Sequence, residues 1–170
     1  LIINKMNMIV AFCKNRGIGI GNTLPWYLQH ELKYFKDLTS YNGNDCIIMG
    51  KNTWLSLPKK PLPKRTNIIL SNSLKKNKLP KNTLLFNNKE NLIKYVTEKK
   101  HTSWVIGGEK IYNSFISSNE LENIYVTFIN ENYNCDTFFP KIPKKFKCIE
   151  KSSYKMSNNI FYRFEIYKKI

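Results

Sequence analysis

Two rhythms of apolar residues alternate along the chain. Short continuous runs such as CIIM and NIIL read as strands, and stretches with apolar residues three and four apart read as helices. The runs predict strands over 7–12, 46–49, 67–70, 83–86, 104–106, 124–129, 146–151 and 161–167, and helical stretches fall at 28–38, 51–56, 89–99 and 108–116. This order builds an α/β fold, a single domain over 1–170 with a central, mostly parallel sheet of about eight strands, an antiparallel C-terminal hairpin and about four flanking helices. Ligands of such sheets bind beyond the carboxyl ends of the strands.

The helix over 28–38 carries one residue out of place. On a helical wheel Leu28, Leu32, Phe35, Leu38 and Thr39 form an apolar arc, Gln29, His30, Lys33, Lys36 and Asp37 lie opposite, and Glu31 falls inside the arc. A carboxylate withdrawn from water costs several kcal/mol unless it is paired. No basic residue shares its arc, so its natural partner is a cationic or hydrogen-bond-donating ligand. The plainer alternative is a glutamate at the edge of the stripe whose end reaches water.

Other chemistry sits where strands end. Gly50 follows CIIM and opens a short helix, so its amide and those of Lys51, Asn52 and Thr53 can face an anion, although an ordinary glycine turn has the same sequence. At Ile106, Gly107 and Gly108 a strand runs straight into the helix EKIYNSFI, and two glycines admit close backbone approach to a ligand or simply tight packing. GIGNTLPW reads as a mobile loop whose Leu24 and Trp26 press onto a planar ligand. Arg65 follows a Lys-Pro loop, where its fork suits a carboxylate or merely faces water. Thr127, taken alone, is a β-branched strand residue, and Asp136 a loop acid.

Length and composition set limits on function. A chain of 170 residues buries about 70% of its unfolded surface and needs no staple. Its four cysteines contain no CxxC pair and only two histidines join them, so no zinc site can be written and the thiols read as reduced and mostly buried. The leader over 1–6 reads as disordered or extended, too short and polar for a signal peptide, and no apolar run approaches a membrane span. These features predict a cytoplasmic protein with no membrane partner. A net charge of +16 favours anionic partners without choosing among them, and a compositional bias toward Lys explains part of it. A basic nucleic-acid module lacks a recognition helix or stacking platform here, which leaves nucleic-acid binding as a weak charge effect.

IMGKNTW, PLPKRTNIILS, WVIGGEKIY and IYVTFINENYNCDTFFP follow LPW and Glu31 in the order found in dihydrofolate reductases, and the chain resembles that family over nearly all its length. The resemblance implies reduction of 7,8-dihydrofolate by NADPH, with hydride going to C6 and a proton to N5. It implies that Glu31 holds the pterin, that Thr127 orients the Glu31 carboxylate, and that Leu24 on a closing loop helps exclude water. Ile9, Val10 and Ile106 would line the pocket floor, Phe35, Leu57 and Leu62 would contact the rings, and Arg65 would bind the glutamyl α-carboxylate, with nearby lysines suited to polyglutamylated substrate. For the cofactor it implies contacts from Ala11, Ile18, Leu24, Gly50, Lys51, Asn52, Thr53, Ser71 and Asn72, and from Gly107, Gly108, Glu109, Lys110, Ile111 and Tyr112, with a cis peptide between Gly107 and Gly108 and Asp136 bracing the lid. Asn72 departs from the basic residue many relatives place there, so preference for NADPH rests more on Lys51. The family includes fusions to thymidylate synthase, and a chain that starts at Leu1 suggests a fragment, a processed start or a domain cut from something longer. A related reductase acting on another pterin or on a riboflavin-pathway intermediate is the alternative, although reductases of the riboflavin pathway lack the Glu31 helix and the Arg65 loop in this form.

Overall fold

The computed structural model describes residues 5–170. Residues 1–4 of the leader expected to be disordered or extended lie outside them; of the rest, Lys5 is exposed and Met6 is extended and buried, opening the first strand. In chain order the elements are β1 (Met6–Cys13), β2 (Gly17–Gly19), α1 (Gln29–Ser40), β3 (Cys46–Gly50), α2 (Lys51–Ser56), β4 (Thr66–Leu70), a 3-10 turn (Lys76–Lys78), β5 (Thr83–Phe86), α3 (Lys89–Glu98), β6 (Ser103–Gly107), α4 (Glu109–Phe115), β7 (Leu121–Ile129), β8 (Thr137–Phe138), β9 (Phe146–Lys151), β10 (Lys155–Ser157) and β11 (Ile160–Lys169).

Nine strands form the main sheet, in the order β10-β11-β7-β1-β6-β3-β4-β5 with β9 also on β11. The run from β7 to β5 is parallel throughout, and β11 joins β7 antiparallel. Helices cover both faces of the parallel strands, so β3 is buried at every position and reads as an unbroken apolar run. Side chains on β1 alternate between two cores. Met8, Val10 and Phe12 join Leu92, Val96 and Phe115 of α3 and α4, whereas Ile9 joins Trp54, Trp104, Phe35 and Leu38 on the side of α1 and α2.

The expected mostly parallel sheet and four helices are present, and the strand count is higher by one. The extra strand, β10, is three residues long and largely polar, too short to show alternation. Its turn was nonetheless written in the chain: Asn158 and Asn159 both take positive φ between paired Ser157 and Ile160, the conformation that two-residue hairpins require. A second, two-stranded sheet pairs β2 with β8. Among the described residues no helix is long and apolar enough to cross a membrane. Cys13 and Cys46 are buried, but Cys135 is half-buried and Cys148 exposed, so burial of most thiols is not what the fold provides. Cys148 lies on β9, which is exposed from Lys147 onward.

Candidate active site

Three neighbouring parallel strands, β6, β3 and β4, end side by side, and Met49 and Gly107 are register partners across β3 and β6. Helix α2 starts directly after Gly50 and α4 directly after Gly108, and neither has a side-chain cap. Two sets of first-turn amides, at 51–53 and 109–111, therefore begin on adjacent strand ends without a capping side chain. Glycine is what allows this convergence. A Cβ on Gly50 would lie 2.9 Å from Cγ1 of Ile111, too close to stand, whereas one on Gly108 would meet Oγ1 of Thr53 at an ordinary contact distance of 3.5 Å. The peptide between Gly107 and Gly108 is cis.

Beyond β4 the hydroxyls take over. Lys51 Nζ donates to Ser73 Oγ at 3.1 Å, while Ser71 Oγ accepts the amides of Ser73 at 3.2 Å and Leu74 at 3.3 Å. Asn72 is exposed between them. Ser73 is a member of this group that the sequence reading passed over; the signal was the pair of hydroxyls in SNS directly after a strand end.

Glu31 is 8 % exposed, and the Thr127 beside it is 2 % exposed. Burial pushes the Glu31 carboxyl up to about 7, against the opposing pull of a hydrogen bond from the Thr127 hydroxyl. Around it Leu28 and Thr39 are buried and Phe35 and Leu38 half-buried, but Leu32 is 43 % exposed. The buried arc of α1 centres between Glu31 and Phe35, which puts Leu32 roughly 80° away at its margin. Phe35, Leu57, Leu62 and Ile106 remain half-buried against the cluster of Ile9 and Trp54, an apolar wall left partly open.

Two expectations need correction here. Val10 turns its side chain into the opposite core, as strand alternation from Ile9 demands, and does not contribute it to the floor beside Ile9 and Ile106. Trp26 is not on the face of the lid but 5 % exposed at its base, packed with Cys13, Leu28 and Ile129 and 5.5 Å from the Tyr133 ring. Its Nε1 is buried with no partner among the described residues, a donor that calls for a water or a ligand acceptor.

Arg65 is aimed by two bonds. Nε donates to the Pro63 carbonyl and Nη1 to Thr39 Oγ1, each at 2.9 Å, and Thr39 Oγ1 donates in turn to the Phe35 carbonyl at 2.8 Å. Burial lowers the Arg65 pKa. Thr39, read from sequence only as part of an apolar arc, thus fixes the guanidinium on α1. Asn67 does the same for the loop, accepting from the Leu62 amide and donating to the carbonyls of Leu62 and Arg65. Lys60 donates to the carbonyls of Trp54 and Leu55, so it caps α2 and is occupied, whereas Lys59 and Lys64 stand exposed.

The loop after β1, expected to be mobile from its glycines, carries several hydrogen bonds. Gly21 donates its amide to Asp136 Oδ2 at 2.9 Å, the Asp136 amide donates to the Gly19 carbonyl at 3.0 Å, and Ile20 and Thr23 bond each other. Leu24, at 52 % exposed, sits just beyond that turn. Ala11 and Ile18 are half-buried, and Tyr112 is 5 % exposed with its hydroxyl on the carbonyls of Ile9 at 2.8 Å and Ile106 at 2.9 Å.

The family model for dihydrofolate reductase matches residues 5–169. The chain is 39% identical to the dihydrofolate reductase of Drosophila melanogaster, over 84% of this chain and 83% of the relative. It is 35% identical to that of Heliothis virescens over 98% of each, and 33% identical to that of Rattus norvegicus over 99% of each.

Proposed function

Because this chain belongs to the dihydrofolate reductase family, we propose that it reduces 7,8-dihydrofolate to 5,6,7,8-tetrahydrofolate with NADPH, with Glu31 as its one ionisable catalytic group. The observation that carries the reading is a buried carboxylate, with buried Thr127 beside it, at the carboxyl end of a parallel sheet whose adjacent strand ends open two uncapped helices.

The residues fit a nicotinamide dinucleotide. Gly50, Gly107 and Gly108 leave backbone where side chains would otherwise stand, and the amides at 51–53 and 109–111 suit a pyrophosphate. Lys51, Ser71 and Ser73 at the neighbouring strand end suit a 2′-phosphate, so they support NADPH over NADH. When bound, the cofactor supplies the hydride for C6. The protein does the rest. Glu31 holds the pterin through its 2-amino group and N3, Thr127 fixes the carboxylate, and a carboxyl pKa near 7 keeps a proton available for the reduction at N5. Phe35, Leu57 and Leu62 flank the rings, Leu24 shuts out water from the lid side, and Arg65, held by Thr39, takes the glutamyl α-carboxylate. Lys59 and Lys64 suit the further carboxylates of a polyglutamate tail.

The test is loss of absorbance at 340 nm on mixing protein with NADPH and dihydrofolate, beside NADH and a folate-free control. Folate-dependent oxidation that prefers NADPH is expected; none from folded protein overturns the reading. Lys51→Ala should raise the KM for NADPH by about 10- to 100-fold and leave that for NADH nearly unchanged, the loss typical of a charge-assisted bond. Arg65→Lys keeps the charge but loses the fork held by Thr39 and Pro63. Its KM for dihydrofolate should rise about 10-fold or more with the cofactor KM unmoved.

A further inference from the structure

We propose that Glu109 is a positioning residue that fastens the lid to the helix facing the cofactor. Glu109 is the first residue of α4, directly after the Gly107–Gly108 turn, and its Oε1 accepts the amide of Phe138 at 2.9 Å. Phe138 belongs to β8, which pairs with β2 at Gly17 and Gly19. The same short segment makes four further bonds to the loop: the Asp136 amide and the Thr137 hydroxyl reach the Gly19 carbonyl, Asp136 Oδ2 takes the Gly21 amide, and the Phe139 amide reaches the Arg16 carbonyl. Behind it the Phe139 ring is 1 % exposed, stacked on Phe12 at 5.5 Å and edge-on to Tyr112 at 4.9 Å.

One carboxylate therefore joins α4 to β8, and β8 carries the loop. An acid in the first turn of a helix is favoured by the helix dipole, yet it stands beside amides suited to an anion. Committing Oε1 to Phe138 gives that charge a separate task. Glu109 thus ties the first turn of α4 through β8 to Gly21 and the lid. That this loop closes over a cofactor rests on the reductase reading; the link from Glu109 to Gly21 rests on the bonds themselves.

Amide hydrogen exchange at Gly21 in ligand-free protein, alongside single-turnover hydride transfer, separates the two. Glu109→Ala should speed Gly21 exchange by about 10-fold, the usual weight of a charge-assisted bond, while amides of β3 and β6 keep their protection. Hydride transfer should slow by a similar factor with the dihydrofolate KM unmoved, and Glu109→Gln, whose side-chain oxygen still accepts, should recover most of both losses. Exchange at Gly21 that matches wild type in Glu109→Ala, or a uniform acceleration across all amides, would overturn the proposal. If Glu109→Ala speeds Gly21 exchange as expected but the wild-type protein has no reductase activity, the proposed function fails and the link stands.

Discussion

Glu31→Gln is expected to slow hydride transfer by about 10² to 10⁴ at neutral pH and, in the same protein, to raise stability above pH 7. Both effects have one cause. Burial lifts the Glu31 carboxyl from its ordinary 4.5 to about 7 in the folded protein, so the fold favours the protonated form. For a group raised by folding, the stabilising contribution is complete below the unfolded pKa and fades as pH climbs through the folded one. From pH 4.5 to 7 the wild-type protein therefore loses stability, reaching a deficit of about 3 kcal/mol above pH 7. Gln stays neutral, and its carbonyl oxygen can still accept from Thr127. Urea midpoints of the two proteins should converge near pH 4.5 and separate by pH 8, with the variant higher. The reaction should show the same titration: wild-type hydride transfer falls as pH rises through 7, and the Gln variant is slow and flat. Parallel stability curves, or a Gln variant as fast as wild type, would remove Glu31 from its assigned role.

The buried position of Glu31 was legible because it breaks a pattern. A helix with one carboxylate in its apolar arc announces a conflict between local patterning and burial, and such conflicts collect at functional sites. The parallel strands were equally plain, because a sheet covered on both faces writes continuous apolar runs such as CIIM. What escaped depends on contacts distant in sequence. Thr39 on Arg65, Ser73 on Lys51 and Glu109 on Phe138 span 26, 22 and 29 residues, and no local period encodes them. The small sheet of β2 and β8 escaped for a related reason. Its strands are three and two residues long, and their stability comes from Asp136 and its neighbours rather than from apolar alternation. Val10 shows the opposite failure, a motif carried over whole although the pleat allows only alternate side chains onto one face.

Gly107→Ala should destabilise the protein by about 2 to 5 kcal/mol and lower kcat/KM by at least about 10². Gly107 sits at φ +112, where side chains other than hydrogen are disfavoured, and an added Cβ would lie 2.9 Å from Cε2 of Tyr112 and 3.1 Å from its hydroxyl. Tyr112 has nowhere to go. It is 5 % exposed, its hydroxyl is held by the carbonyls of Ile9 and Ile106, and its ring meets Phe139 at 4.9 Å. Relief of the clash must move either the aromatic ring, at the expense of the bonds from its hydroxyl to β1 and β6, or the turn that starts α4. Ile9 and Ile106 are the floor of the proposed pterin pocket, and that turn carries the proposed pyrophosphate amides, so either movement reaches the reaction. Gly21→Ala supplies the control. Gly21 also has positive φ, at +55, but nothing lies within 4 Å of an added Cβ, and its amide remains free to bond Asp136. There only the backbone preference is lost, about 1 kcal/mol, with little change in the turn at 107–108. Urea midpoints and kcat/KM for the two variants measure the difference. Equal losses would mean that backbone conformation alone requires glycine at 107, and that Tyr112 is not the wall that holds the turn in place.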